Sequence, residues 1–96
     1  MIKIMLHEIN YIESIRNYVS IYLNDGREVV TMNTISNIEE RLPETLFLRI
    51  HRSFIICIDK IESYMSGSVK IAGQNIPIGR NYKEAFKANV QNKSIE

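Results

Sequence analysis

Between Tyr18 and Thr31 the sequence spells out a β-hairpin, and this places the chain among antiparallel β folds. Tyr18-Val19-Ser20-Ile21-Tyr22-Leu23 alternates strictly, with Val19, Ile21 and Leu23 on one face and Tyr18, Ser20 and Tyr22 on the other. Asn24-Asp25-Gly26 follows, residues that tolerate the left-handed backbone of a tight turn, and Arg27 to Thr31 reads as the return strand. Isoleucine usage points the same way. It fills 17 of 96 positions, and branching at Cβ stiffens χ1 and fits a pleated sheet better than a helix. Phe54-Ile55-Ile56-Cys57-Ile58 is continuously apolar, which predicts a strand buried on both faces. Ser66-Gly67 and Gly73-Gln74-Asn75 punctuate three further short runs that end at Ile76-Pro77-Ile78. Pro77 has no N–H to give a ladder, so that last strand belongs at an edge or a bulge.

Two short helices interrupt the strands. Ile35, Ile38 and Leu42 form one apolar stripe; Thr34 or Ser36 can cap its start, Ser36-Asn37-Ile38-Glu39 matches a capping box, and Pro43 ends it. A second helix is expected from about Asn81 to Val90, with Tyr82, Phe86 and Val90 inward, Arg80, Lys83 and Lys87 on a neighbouring stripe, and Asn81 with Glu84 as a cap. No internal repeat or linker divides the chain. Residues 1–96 are read as one domain with a single modest core over about 3–90 and a polar, frayed tail over 91–96.

Composition narrows the setting. No apolar run approaches the roughly 20 residues that cross a bilayer, and the opening MIKIMLHEINYIESI alternates and carries charges, so it reads as structure and not as a signal peptide. Cys57 is the one cysteine, which excludes a disulfide framework and points to the cytoplasm, with no membrane involvement. There is no phosphate-loop, dinucleotide or HExxH motif, and neither His7 nor His51 has a metal-ligand partner at standard spacing. Cys57 reads as a buried small hydrophobe, and Glu39 and Glu40, about 100° apart on a helix, as solvated. No enzymatic activity, cofactor or metal is expected.

The net charge of +1 excludes a globally basic coat, so any polyanion must meet local clusters. Two stand out. Arg80, Lys83, Lys87 and Lys93 face only Glu84, and Arg49, His51 and Arg52 have no acid among them, while Glu39, Glu40 and Glu44 gather elsewhere.

Read together, several segments resemble the LytTR family of bacterial DNA-binding domains. They are Tyr11-Ile12-Glu13-Ser14 with Asn17-Tyr18-Val19, Asp25-Gly26-Arg27, Thr34-Ile35-Ser36 with Glu40-Arg41-Leu42-Pro43, Phe47-Leu48-Arg49-Ile50-His51-Arg52-Ser53-Phe54, and Ile76-Pro77-Ile78-Gly79-Arg80-Asn81-Tyr82. The blocks fall in the family's order across roughly residues 3 to 90. One departure is Cys57, where the family usually has asparagine, and it bears on one turn or hydrogen bond. The resemblance implies a mostly β domain, with antiparallel strands in small packed sheets and one or two short helices. It also implies that loops enter successive major grooves of double-stranded DNA at direct repeats and often bend the duplex. Such domains are usually the output half of a two-component response regulator. No receiver domain lies in these residues; a cut-out output domain and a stand-alone member partnered by a receiver both stay open.

Residue roles follow the resemblance. Arg80 matches a base-contacting arginine, and its guanidinium fork suits the O6/N7 edge of guanine. Arg52 falls at a second contact position, in a loop between strands. Tyr18 matches a third, where family members can carry histidine; it either points outward to DNA or packs across the sheet. Arg16, Asn17, Arg49, Asn81 and Lys83 are supporting candidates for phosphate contacts, and His51 is a supporting candidate that equally serves inside the fold. The expectation is a sequence-specific DNA-binding regulator domain, monomeric in isolation and paired on DNA. The alternative is a β-rich interaction module that sets its basic clusters against an acidic protein partner.

Overall fold

The computed structural model describes residues 3–93, with strands β1 (Ile9–Ile15), β2 (Tyr18–Leu23), β3 (Glu28–Thr31), β4 (Phe47–His51), β5 (Phe54–Cys57), β6 (Ser63–Tyr64), β7 (Ser68–Ile71) and β8 (Gln74–Pro77). Helix α1 (Ile35–Glu40) precedes β4, and helix α2 (Lys83–Lys93) closes the described chain. All pairings are antiparallel, in a five-stranded sheet of order β3-β2-β1-β5-β4 and a three-stranded sheet of order β6-β7-β8. This is the mostly β arrangement of small antiparallel sheets with short helices that the sequence and the resemblance predict, here as two sheets and two helices. Pro77 lies on the edge strand β8, where its missing N–H costs no ladder bond.

The hairpin forms as expected. Tyr22 pairs with Glu28 and Val19 with Thr31, and Gly26 supplies the turn's positive φ of 92°. Ser20 lies on the face away from Val19 and Ile21, yet it is fully buried; its hydroxyl donates to Glu28 Oε2 at 2.6 Å, which satisfies the buried polar group.

The five-stranded sheet is covered on both faces, so two cores replace the single one expected. Ile55 packs with Ile12, Val19, Leu23 and Phe47 beneath α1, while the adjacent Ile56 packs with Ile50, Val69, Ile76, Phe86 and Val90 beneath the small sheet and α2. Strand β5 sits between β1 and β4 and alternates between the two cores, which is why its sequence is apolar at every position. Two bulges adjust the alternation. In β1 the register shifts between Ile9 and Tyr11, which keeps Ile9 and Ile12 in one core; in β4 it shifts between Arg49 and His51.

The ends of the elements differ from the sequence reading in small, local ways. Thr34, and not the Ser36 capping box, caps α1, its Oγ1 accepting from the Asn37 N–H at 3.1 Å. The helix ends at Glu40 with Arg41 as its cap, so Leu42 lies beyond it and still packs on the first core. A 3₁₀ turn over Arg80–Tyr82 precedes α2, in place of the expected Asn81 cap, and α2 runs on to Lys93. Of the tail expected to fray, residues 94–96 lie outside the described residues. The apolar run from Phe54 leaves the strand at Cys57, and Ile58 enters a 3₁₀ turn. Cys57 occupies the cap position of that turn, makes no side-chain cap bond and is buried in the first core. Asparagine is among the preferred cap residues; cysteine gives up the bond and adds to the core.

Candidate nucleic-acid interface

The strand order gathers three separate stretches of chain at one end of the large sheet. Strand β1 ends there and turns through Arg16-Asn17 into β2, and β4 turns through Arg52-Ser53 into β5. Because β1 and β5 are neighbours, the Ser14 N–H reaches across to donate to Ser53 O at 2.8 Å, tying the two turns together. The third stretch arrives from the small sheet. The Gly79 N–H donates to Ile50 O at 2.8 Å, which lays the Gly79-Arg80 segment along the end of β4. Space at Gly79 is tight: a Cβ there would stand 3.0 Å from Tyr82 Cδ2, so that ring would have to give, and in ordinary contact at 3.5 Å from His51 Cδ2.

Arg16 and Asn17, Arg52, and Arg80 lie on or beside these three stretches, while Lys83 opens α2 and lines a separate pocket with Tyr64, Met65 and Phe86. Arg16, Asn17, Arg52, Arg80, Asn81 and Lys83 are exposed. The ion pairs among the described residues engage Arg27 and Arg49, and none engages Arg16, Arg52, Arg80 or Lys83. Their charge is therefore available to an outside partner. Arg16 holds a φ of 55°, a left-handed conformation that costs a non-glycine L-residue about 1–2 kcal/mol and here serves the tight turn that carries it. Tyr18 is half-buried at the base of that turn, paired with Ile15.

Two candidates face inward. The His51 ring meets Phe54 edge-on with centroids 5.5 Å apart, and its Nδ1 accepts from the Ser53 N–H at 3.0 Å, bracing the β4–β5 turn. Arg49 directs its whole guanidinium into the fold. Nε donates to His51 O at 2.8 Å, Nη1 to Glu39 Oε1 at 2.7 Å and Nη2 to Arg52 O. Glu39 is thus half of an ion pair and not simply solvated.

Sequence reasoning missed Met32 and Asn33. They follow β3 and line a shallow pocket with Ser14, Arg16 and Asn17, and Met32 is 73% exposed. The signal was in the hairpin: pairing Val19 with Thr31 sets the next residues of both strands side by side.

The remaining chemistry lies away from this end. Cys57 is a free, buried thiol pushed up by burial, and groups of histidine, cysteine and carboxylate that could hold a metal are absent among the described residues. Tyr11 and Tyr22 stack with centroids 4.6 Å apart, and the Tyr22 hydroxyl donates to Glu13 Oε1 at 3.1 Å. No helix of the described residues is long and apolar enough to cross a membrane.

Comparison with known proteins agrees with this architecture. The family model for the LytTr DNA-binding domain matches residues 1–91. The sensory transduction protein LytT of Enterococcus faecalis is 35% identical over 60 residues, covering 56% of this chain and 25% of that protein. The LytT proteins of Bacillus cereus and Bacillus anthracis are each 28% identical over 88 residues, covering 77% of this chain and 36% of theirs. The chain spans roughly a quarter to a third of the length of these curated relatives. Among solved structures, a LytTr DNA-binding domain from Bacillus cereus superimposes with a TM-score of 0.77 at 20% identity, over 86% of this chain and 81% of that one. At that identity the likeness concerns the fold alone.

Proposed function

Since the chain belongs to the LytTr DNA-binding domain family, we propose that the end of its large sheet reads double-stranded DNA sequence-specifically and without catalysis. One observation supports this reading above the others. Three loops from distant parts of the chain converge at a single end and present Arg16, Arg52 and Arg80, none of them in an ion pair among the described residues. A recognition helix is not needed: turns at the end of a sheet are narrow enough to enter a major groove about 12 Å wide. Arg80 and Arg52 read base edges. Arg16, Asn17, Asn81 and Lys83 set the domain on the phosphates, and Tyr18 contributes its hydroxyl from the base of the first turn.

The domain engages direct repeats about one helical turn apart, two copies pairing on DNA from a monomeric pool. It acts in the cytoplasm under the control of a receiver domain, in the same protein or as a partner. The greater length of the relatives and their name as sensory transduction proteins support that setting.

Selection from random duplex DNA followed by competition tests the reading. Enrichment of paired short direct repeats is the expected result. Arg80→Ala should then weaken the selected duplex by about 1–3 kcal/mol and relax preference at one base pair. Lys83→Ala should weaken selected and random duplexes alike and reduce the slope of log K against log salt by about one. No enrichment at moderate salt would refute sequence reading and favour an acidic protein partner. If Arg80→Ala weakens every sequence equally, Arg80 is a phosphate clamp, and the reading passes to Arg52 and Tyr18.

A further inference from the structure

We propose that Arg49 does not touch DNA but is the positioning residue that holds the Arg52 turn in its reading geometry; this rests on the assignment of that turn to the DNA interface. Ser53 is fixed at both ends, its N–H by His51 Nδ1 and its carbonyl by the Ser14 N–H. The two carbonyls before it, His51 O and Arg52 O, are both held by Arg49, through Nε and Nη2. The third arm, Nη1, is anchored on Glu39 of α1 at 2.7 Å, so the turn is braced against a helix that packs on the first core.

Arginine is the side chain this brace requires. Its planar fork directs donors along several fixed directions at once, whereas lysine offers one nitrogen at the end of a flexible stem. The β4 bulge between Arg49 and His51 supplies the other half of the geometry, by breaking the regular register just before the turn. The Arg49 side chain is only 14% exposed and each of its three nitrogens already donates within the fold, which leaves little of it open to phosphate. Glu39 is 46% exposed at its side chain, so it orients the fork more than it stabilises the fold.

The test uses the whole chain, a duplex recovered by selection from a random pool, and a random duplex as reference. Arg49→Lys keeps the charge and most of the stem, so a phosphate contact would survive it. The brace would not. Arg49→Lys is expected to reduce preference for the selected over the random duplex about tenfold, the low end of what a base-reading arginine supplies, with random binding and its salt slope unchanged. Arg52→Ala should cause a similar loss, and the double variant should lose no more than either alone, since an unbraced Arg52 has no reading left to lose. Amide exchange checks the brace without DNA: the Ser53 amide should exchange at least about tenfold faster in Arg49→Lys, while those of Ile12 and Ile56 keep their protection. Parental preference in Arg49→Lys, losses that multiply in the double variant, or an unchanged Ser53 rate would each overturn the proposal. Failure of the parental chain to select any sequence would instead overturn the DNA reading, and the positioning role with it.

Discussion

Replacing Ile56 with alanine tests whether the large sheet is covered on both faces. Ile56 has no solvent exposure and lies in the second core, whereas its neighbour Ile55 is 1% exposed and lies in the first. Truncation to alanine removes three carbons, about 0.8 kcal/mol each in transfer energy, and leaves a cavity costing about 24 cal/mol per Å³ that neighbours fail to fill. The sum is roughly 2–5 kcal/mol. A chain of 96 residues at about 0.05–0.15 kcal/mol per residue has roughly 5–14 kcal/mol in all, so either loss is large but measurable. Each kcal/mol shifts a domain of this size by about 4–8 °C, so the melting temperature should fall by about 10 °C or more. Ile55→Ala should cost a similar amount, because a different set of neighbours closes over it. Urea melts followed by circular dichroism measure both. One large loss beside one within about 0.5 kcal/mol of the parent would show a face open to water and refute the two-core arrangement.

Three other outcomes follow from local geometry. Thr34→Ala should lose about 1 kcal/mol with the cap bond to the Asn37 N–H, whereas Ser36→Ala should stay within about 0.5 kcal/mol; paired urea melts compare them. Ala72 and Gly73 turn β7 into β8 with φ of 52° and 77°, so Ala72→Asn, which tolerates that backbone, should raise stability by about 0.5–1 kcal/mol; a lower melting temperature would show that Ala72 carries no strain. Burial, and then the nearby Glu13 carboxylate, push the Tyr22 hydroxyl up from 10.0 to about 12. The folded state therefore keeps this proton more tightly than the unfolded chain. Its stabilisation is complete below pH 10 and is lost as pH rises toward 12, and Tyr22→Phe should flatten that limb of the stability profile.

What the sequence made legible was local. The hairpin from Tyr18, the doubly buried run from Phe54 and the edge position of Pro77 each follow from periodicity or from one missing donor, and each stands in the structure. The cap of α1 was legible only as a choice, because Thr34 and Ser36 have equivalent hydroxyls and the packing of Ile35 and Ile38 decides the start. The two bulges carry no residue signature, since Asn10 and Ile50 do not announce an extra position. For the candidate interface, the family resemblance pointed to Arg80 and Arg52 and offered Arg16 and Arg49 alike as supporting residues, and nothing in the sequence set Arg49 apart from the others. That distinction lies in where a guanidinium finds carbonyls, which depends on the β4–β5 turn and on a helix ten residues away.

The pairing of β1 with β5 is also the strand pairing of greatest sequence separation among the described residues. Tyr11 pairs with Ile56, so this contact closes a loop of 45 residues (56 − 11), while the β1–β2, β2–β3, β4–β5 and β7–β8 hairpins each close only a short one. Hairpins of that kind form in about 1–10 μs, and the long closure must be made before either core rewards it. The β1–β2–β3 meander carries Arg16 and Asn17 and is closed by local contacts alone, whereas its pairing with β5 is not. That closure joins the Arg16 turn to the Arg52 turn, while the Gly79–Ile50 bond brings Arg80 in separately. Substitutions along the β1–β5 seam should slow folding, and those in α2 should chiefly speed unfolding.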